Sequence, residues 1–365
     1  NQDAGAKDGP IGEATFTEPN GIAITNDGTI YISDSADHII RVIDAQRTTV
    51  STIAGLKDNP GHVDEKGSKA RLNAPDGMTV GPNQVIFFAD RDNHVIRKVD
   101  HTGLVATIAG MSGEVGFVNA KGKDAKFDDP IDLAFHTNKA GKDFLFIVDH
   151  SNNTIRRYAF ETEMVANLTG QPNFAEEGLC ETGNGSNCPV IDGKLNEATF
   201  FRPYGIAVGR SSGNTNSYLY VTDGSHRIRR IDLVQGIVET FAGDGVPEHT
   251  DGQGKTAQMN FPYGITADAD GDMYFSTGHH IVRELNIMAV IETSMGEVGK
   301  SGFADGWSQK AVFFEPTRLA VHCAHGLILA DRGNRRIRRI TPKCDEAFGC
   351  ITSQCRCPVF KTGKK

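Results

Sequence analysis

Three recurring features of this 365-residue sequence predict an all-β fold built from six similar units. A proline opens six short apolar stretches, at Pro19, Pro75, Pro130, Pro203, Pro262 and Pro316. Five later segments end in the related patterns STIAG, ATIAG, ANLTG, ETFAG and ETSMG. Runs rich in β-branched residues alternate with Asp, Asn and Gly turns, and no stretch shows sustained helical periodicity.

The strands of the first unit follow one another in a regular order. GIAIT, TIYISD, HIIRVID and TVSTIAG are four apolar or alternating runs joined by short turns. Four strands in each of six units predict a six-bladed β-propeller with four-stranded antiparallel blades. We expect the propeller to occupy residues 1–343 and a cysteine-rich tail to occupy residues 344–365.

The sixth unit departs from this order because no fourth-strand pattern follows RIRRIT. The N-terminal DAG matches only the end of such a strand, and GCITS (349–353) is a second candidate. We therefore expect the ring to close through one of these two segments.

A longer phrase recurs between the second and third strands, as DSADHIIRVID at 34–44 and DRDNHVIRKVD at 90–100. With P-x-G-I-A before it and AG after it, this phrase resembles the NHL repeat, and the resemblance covers about residues 4 to 343. It implies a six-bladed propeller. It implies little about function, because members and relatives of this fold include sensors, RNA binders, scaffolds and a few metal-dependent enzymes.

Acidic, basic and imidazole side chains recur at matching positions of the units. The acids are Asp34, Asp90, Asp149, Asp223 and Asp331, with Ser276 in the fifth unit. The bases are Arg41, Arg97, Arg156, Arg229, Arg283 and Arg338, and the imidazoles are His38, His94, His226 and His280. A feature present in nearly every unit serves a need of every unit, so we interpret these side chains as structural. The DG turns at Asp8, Asp192, Asp251 and Asp305 are likewise interpreted as loop-shaping turns.

Departures from the repeat indicate where function lies. Four units have Gly at the second position after the proline, whereas the third and sixth have Asp132 and Arg318. Because those two blades face each other in a ring of six, both side chains are expected at the channel mouth with Asp76, Tyr204 and Tyr263. Arginine suits carboxylate or sulfate, and tyrosine supplies a stacking face and a hydroxyl. Two interpretations stay open: a ligand-binding site, or a plug of mutually satisfied charges.

No metal, cofactor or catalytic residue is assigned from the sequence. His136 and His322 lie at the far end of opposite inner strands, but two histidines do not complete a zinc site. The acidic turns lack the dense spacing of a calcium loop. Calcium or zinc in the channel therefore remains a minor alternative.

Cysteines and glycosylation sequons favour a secretory setting. Cys180 and Cys188 are expected to form a disulfide within one loop. Further disulfide candidates are Cys344, Cys350, Cys355 and Cys357, while Cys323 stands apart. The sequons are at Asn152, Asn167 and Asn184. Clustered cysteines in loops are typical of oxidising compartments.

Charge and hydropathy limit the partners. The net charge is −8, with 46 acidic and 38 basic residues, which argues against broad nucleic-acid binding. No apolar run is long enough to span a membrane. We therefore expect a secreted or cell-surface scaffold, acting without catalysis through a protein or glycan partner or by self-assembly through the tail. The alternative is a metal-dependent propeller hydrolase or lyase with its active site in the central channel.

Overall fold

The computed structural model describes residues 4–172, 190–210, 217–306 and 310–341. They form six antiparallel sheets arranged as a six-bladed β-propeller, which confirms the predicted all-β fold. The described part of the chain contains no α-helix, and its helical residues are confined to single 3₁₀ turns.

The first three blades have these strand bounds. Blade one contains β1 (Gly9–Pro10), β2 (Pro19–Ile24), β3 (Ile30–Asp34), β4 (Ile39–Ile43) and β5 (Thr49–Gly55). Blade two contains β6 (Pro75–Val80), β7 (Ile86–Asp90), β8 (Val95–Val99) and β9 (Val105–Ala109). Blade three contains β10 (Pro130–Thr137), β11 (Asp143–Asp149), β12 (Thr154–Ala159) and β13 (Met164–Gly170).

The last three blades follow the same order. Blade four contains β14 (Gly193–Lys194), β15 (Pro203–Arg210), β16 (Ser217–Asp223), β17 (Arg227–Asp232) and β18 (Ile237–Ala242). Blade five contains β19 (Gly252–Gln253), β20 (Pro262–Ala267), β21 (Met273–Thr277), β22 (Val282–Leu285) and β23 (Val290–Met295). Blade six contains β24 (Pro316–His322), β25 (Gly326–Asp331) and β26 (Arg336–Ile340).

The strand that begins with the recurring proline is the innermost strand of every blade. Its proline pairs with the last residue of the second strand, as Pro19 does with Asp34, and a register shift follows at once. All six prolines therefore lie at one end of the propeller, which we call the proline face. The inner strands run from that face to the opposite end, which we call the far face.

Hydrophobic contacts join each blade to the next and close the ring. One buried cluster unites Ile22 and Ile32 of blade one with Ile328 and Ala330 of blade six. The other blade boundaries are filled by five comparable clusters. In the described part of the chain, blades one and six therefore meet through side-chain packing, as the other neighbouring blades do.

The structure tests one of the two segments that were predicted to close the ring. From Ala4 onward the N-terminal residues serve blade one, where β1 pairs with β5, and contribute no strand to blade six. The expectation that DAG closes the ring is therefore wrong for its described residues. The second candidate, GCITS, lies outside the described residues.

The recurring arginine is a structural residue of each blade. Arg97 is fully buried and donates to Asp90 at 2.8 Å and to Asp64 at 2.9 Å. It also donates to the backbone oxygens of Arg71 and Val63. Two carboxylates and two carbonyls therefore satisfy both terminal nitrogens of the guanidinium, while its Nε has no hydrogen-bond partner among the described residues.

The acidic turns have a more specific role than loop shaping. Asp8 accepts hydrogen bonds from Arg41 and from the Thr52 hydroxyl on the outermost full strand. Asp192 and Asp251 bind Arg229 and Arg283 in the same way. Each of these turns therefore locks the segment that enters a blade onto the buried arginine of that blade.

The recurring histidine connects neighbouring blades. His94 has the left-handed backbone conformation, with φ 55°, and its Nδ1 accepts a hydrogen bond from the Asp129 backbone N–H at 3.2 Å. Asn153 replaces histidine in blade three, and its Oδ1 accepts from the Arg202 N–H at 2.7 Å. Asn shares both the tolerance for positive φ and the acceptor.

One sequence alignment needs correction. The register pairs Pro262 with Thr277, so Thr277 and not Ser276 occupies the position of the recurring aspartate in blade five. The turn that follows is one residue shorter there than in blade one, which shifts a spacing-based alignment. Ser276 instead accepts a hydrogen bond from the Gly264 N–H.

Candidate functional site

The six inner strands surround a central channel with a cavity of about 270 Å³. Most of its wall is aliphatic, and Phe135 and Val321 contribute near the far face. Asp132 and Arg318 are the charged side chains of the wall. Since both follow an inner-strand proline by two residues, they mark the end of the cavity nearest the proline face.

Close approach of neighbouring blades explains why these two residues stand out. A Cβ on Gly21 would lie 2.2 Å from the Asp76 carbonyl oxygen, and one on Gly77 would lie 2.1 Å from Asp132 Oδ1. Four blades therefore require glycine at this position. Blades three and six instead place charged side chains, Asp132 and Arg318, in the channel wall.

Arg318 connects the acidic residues across the axis. Its Nη2 lies 3.4 Å from Asp76 Oδ1 and donates to the Ile131 carbonyl at 2.9 Å. Its Nε lies 3.4 Å from Asp132 Oδ2. Asp132 also accepts from the Ile206 N–H at 3.0 Å, and Asp76 accepts from the Asn20 amide at 2.9 Å. The predicted meeting of blades three and six is thus present.

The two predicted tyrosines cover this ion cluster. The Arg318 Cζ lies 4.6 Å from the ring centroid of Tyr204, within cation–π range. Tyr204 contacts Tyr263 edge to face at 5.1 Å. The structure therefore brings all five predicted residues, Asp76, Asp132, Tyr204, Tyr263 and Arg318, together at the proline-face mouth. We call this group the axial cluster.

Burial dominates the electrostatics of the axial cluster. It raises the pKa of Asp132 to about 6, although Arg318 opposes the shift. Burial lowers the pKa of Arg318, but the charges of Asp132 and Asp76 outweigh burial and raise it overall. Burial also raises the pKa values of Tyr204 and Tyr263. At neutral pH the cluster therefore presents a charged guanidinium and neutral phenols.

Several buried atoms of the axial cluster form no hydrogen bond with the described residues of the chain. They are Asn20 Oδ1, Asp76 Oδ2 and the Nε and Nη1 atoms of Arg318. The Nε contact with Asp132 is close enough for an ion pair but lacks hydrogen-bond geometry. Two acceptors and two donors at one place form an incompletely satisfied network, which a bound polar group would complete.

Three further mouth residues were missed by the sequence analysis. Arg91 lies 3.5 Å from Asp76, and Arg332 pairs with Glu18 at 3.2 Å. His150 meets the Tyr204 ring at 5.8 Å and shares a 2.9 Å hydrogen bond with the Pro203 carbonyl, so Nδ1 carries the proton. Burial lowers the pKa of His150 and keeps it neutral.

A positional signal for these residues exists in the sequence. Each of them directly follows the recurring aspartate, at a position that blades four and five fill with Gly224 and Gly278. The same test of departures from the repeat, applied at this second position, would have found them.

The structure does not bring His136 and His322 together as metal ligands. His136 lies near Phe146, with ring centroids 6.3 Å apart, and His322 stacks on His325. Among the described residues, one trio of potential metal ligands comes close together: His94, Asp128 and Asp129. It lies at the boundary of blades two and three, where His94 already accepts the Asp129 N–H.

Two of the glycosylation candidates lie within the described residues, whereas the third and the six disulfide candidates do not. Asn152 is buried, and its amide nitrogen donates to Asp149 Oδ2 and to the Gly116 carbonyl, so a glycan there would break both hydrogen bonds. Asn167 is half-buried and donates to the Gly170 carbonyl. The sequon at Asn184 and the disulfide candidates Cys180, Cys188, Cys344, Cys350, Cys355 and Cys357 lie outside the described residues.

Known proteins share the repeat and most of the chain. Residues 16–43 match the family described as NHL repeat. The human NHL repeat-containing protein 2 is 26% identical over 321 residues, covering 80% of this chain and 42% of that protein. Protein SUPPRESSOR OF QUENCHING 1, chloroplastic, of Arabidopsis thaliana is 25% identical over 292 residues, covering 78% of this chain and 26% of that protein. The chain thus spans less than half the length of these relatives.

Solved structures agree in fold. An auxiliary nutrient binding protein from Bacteroides thetaiotaomicron matches with a TM-score of 0.64 and 18% identity, over 92% of this chain and 72% of that chain. A virginiamycin B lyase from Staphylococcus aureus matches with a TM-score of 0.51 and 14% identity, over 91% and 97%. No helix of the described residues has the length and apolar character to cross a membrane.

Fold and repeat together define the class of the chain. It is a six-bladed β-propeller with a polar cluster on its axis. Within that class, its sequence is similar to that of NHL repeat-containing proteins, and residues 16–43 match the repeat itself.

Proposed function

We propose that this propeller is a non-enzymatic binding module that takes a protein or glycan partner at its proline-face mouth. The observation that carries the proposal is the incompletely satisfied axial cluster, in which buried donors of Arg318 and the buried Oδ2 of Asp76, an ion-pair partner of Arg91, form no hydrogen bond with the described residues. A polar group of the partner would supply the missing hydrogen bonds.

The axial cluster is not required by the fold. It occurs once, whereas five of the six blades share the same buried aspartate–arginine scheme and hold together through it. A buried ion cluster of this kind is weak evidence for stability, because removing charges from water offsets their mutual attraction. A plug would reach low energy by satisfying its own donors and acceptors.

The chemistry of the mouth indicates what the partner offers. Unpartnered guanidinium N–H groups need acceptors, such as sugar hydroxyls or a carboxylate. Tyr263 is half-buried and presents ring surface beside Tyr204 for stacking. A sugar unit or a polar peptide side chain fits this pairing of donors and ring surface.

The donor set favours binding over metal-dependent catalysis. Asp76 and Asp132 both face Arg318, which competes with a cation for their oxygens. The similarity to solved lyase propellers rests on fold alone, at 14% identity or below for two of them. The binding experiment described below must therefore also test for the alternative, a metal-dependent enzyme.

A location outside the cell, and self-assembly through the tail, are parts of the same proposal. Their support is the clustering of six cysteines in two short segments and the sequon at Asn184. Disulfide mapping and glycosidase treatment of the protein from a secreting host would test them. Fully reduced cysteines and no mass loss would contradict them.

Binding to arrays of glycans and synthetic peptides tests the function. Tyr263→Ala is expected to weaken binding of any captured probe at least about tenfold, because an aromatic anchor at a mouth carries a large share of binding energy. The matched control is Tyr218→Ala, another tyrosine that lies against an arginine but away from the axis. Equal loss in both variants would contradict the proposal. Hydrolysis of lactones or esters, together with one bound calcium or zinc per chain, would establish the enzyme instead.

A further inference from the structure

The far face carries a group of four basic or imidazole side chains between blades six and one. His322 ends β24, and His325 follows in the turn before β25. Arg47 lies in the turn between β4 and β5, and Arg339 lies on β26. We call these four residues the far-face cluster. It lies at the opposite end of the propeller from the axial cluster.

The two imidazoles are held in a fixed arrangement. Their ring centroids are 4.5 Å apart and the planes differ by 17°, so the rings stack. His322 Nδ1 accepts a hydrogen bond from the Ala324 N–H at 3.3 Å. His325 Nε2 lies over Gly28, where a Cβ would come within 2.3 Å of it. Glycine in the turn of blade one therefore makes room for this ring.

Arg47 has buried donors without partners. Its Nε and Nη2 atoms are inaccessible to solvent and form no hydrogen bond among the described residues. Neither Arg47 nor Arg339 takes part in an ion pair within the described part of the chain, although the blades contain many. A buried N–H without a partner is unfavourable, so two of them on one guanidinium favour the binding of an acceptor.

Among the described residues, the charged groups that lower the pKa values of Arg47 and His325 are basic. Burial and then the charge of Arg339 lower the pKa of Arg47. Burial, followed by Arg47, His322 and Arg339, lowers the pKa of His325. Like charges thus surround a pair of stacked imidazoles, and Arg339 is the charged group of the described residues that acts on Arg47.

We propose that the far-face cluster binds a tetrahedral oxyanion, a sulfate or phosphate group. The planar fork of a guanidinium matches two oxygens of such an anion, and imidazole N–H groups donate to a third. An anion would satisfy the orphaned donors of Arg47 and compensate the excess positive charge at once. This site shares no residue with the axial cluster, so it stands or falls independently of the proposed function.

Titration calorimetry of the full chain with sodium sulfate and with sodium phosphate, at constant ionic strength, tests the site. Both anions are expected to bind, and Arg47→Gln or Arg339→Gln is expected to lower the affinity at least about tenfold. The matched control is Arg157→Gln. Arg157 follows the recurring Arg156 of blade three as Arg339 follows Arg338 of blade six. The Arg157→Gln variant should bind sulfate and phosphate with the same affinity as the wild type.

A sulfated oligosaccharide distinguishes the sources of the anion. Tighter binding than free sulfate, lost in Arg47→Gln, would identify a sulfated glycan; equal binding would identify a free anion. The proposal is overturned if sulfate and phosphate behave like chloride, or if Arg157→Gln weakens binding as much as Arg47→Gln.

Discussion

Two buried ion clusters of the same composition differ in how completely they are satisfied. In blade two, Arg97 uses both terminal nitrogens on two carboxylates and two carbonyls. The Nε of both Arg97 and Arg318 lacks a hydrogen bond, but on the axis Arg318 also leaves the terminal Nη1 without one, although it faces two carboxylates. The first arrangement recurs around the ring, and the second occurs once.

The difference separates folding from function. A network that satisfies both terminal nitrogens of its arginine gives a blade a fixed geometry and leaves no terminal guanidinium nitrogen for a ligand. An open network on the axis contributes less to stability and keeps donors available. In this repeat protein, side chains that recur build the propeller, while departures from the repeat supply binding groups.

The largest expected effect comes from breaking a closed network. Arg97→Ala should lower the free energy of unfolding by about 3–5 kcal/mol, because it leaves Asp90 buried without its counter-charge. Urea denaturation of the variant measures this loss. Lys98→Ala, on the exposed side of the same strand, should stay within about 0.5 kcal/mol of the wild type. A similar cost for both variants would contradict a structural role for the recurring arginine.

Acid pH should act on the open network through Asp132. Its pKa in the folded protein is about 6, above that of the unfolded chain, so the folded state takes up a proton between roughly pH 6 and 4. The penalty of burying the carboxylate grows as pH rises through that range. Relative to Asp132→Asn, the wild type should therefore gain about 1–3 kcal/mol of stability between pH 7 and pH 4.

Parallel denaturation curves of the two proteins at several pH values measure that gain. The comparison with Asp132→Asn cancels other buried carboxylates, such as Asp34 and Asp149, whose pKa values burial also raises to about 6. A pH-independent difference would show that Asp132 is not an unfavourably buried carboxylate.

The inter-blade hydrogen bond of His94 should have a smaller effect. His94→Ala removes the acceptor of the Asp129 N–H and should cost about 1–2 kcal/mol. His94→Asn should recover most of that loss, because Asn153 performs the same role in blade three. Thermal denaturation of both variants tests this. No recovery with Asn would mean that ring packing, and not the hydrogen bond, is what matters.

Blade six offers the finest comparison of recurring networks. Arg338 is 9% exposed where Arg97 is fully buried, and its partner Asp305 is 81% exposed where Asp64 is 30% exposed. Solvent weakens such a pair, so Arg338→Ala should cost about 1 kcal/mol less than Arg97→Ala. Equal costs would indicate that residues beyond Ile340 cover this blade in solution.

The sequence predicts the fold and much of the axial cluster for the same reason. Prolines and closing glycines recur because each blade needs them, and the two non-glycine residues after the prolines, Asp132 and Arg318, stand out against that background. Their convergence follows from six-fold geometry once the inner strand is recognised. The hydrogen bonds of Asp132 and Arg318 cannot be predicted in this way, because they depend on distances of a few tenths of an ångström.

Other features escaped prediction for physical reasons. Arg91, His150 and Arg332 directly follow the recurring aspartate, and whether a side chain at that position reaches the mouth depends on the three-dimensional course of the turn. The role of Asp8 and its counterparts depends on contacts between segments more than thirty residues apart. The far-face cluster joins the sixth blade to the first, and no local pattern brings those residues together.

Electron density on the propeller axis tests the central claim most directly. We predict that an atomic-resolution crystal structure of the protein will show a bound polar group or ordered solvent within about 2.7–3.2 Å of Arg318 Nη1 and Asp76 Oδ2. A captured glycan or peptide should take its place. An Arg318 whose donors are all satisfied by side chains of its own chain, with and without that probe, would identify a plug and contradict the account.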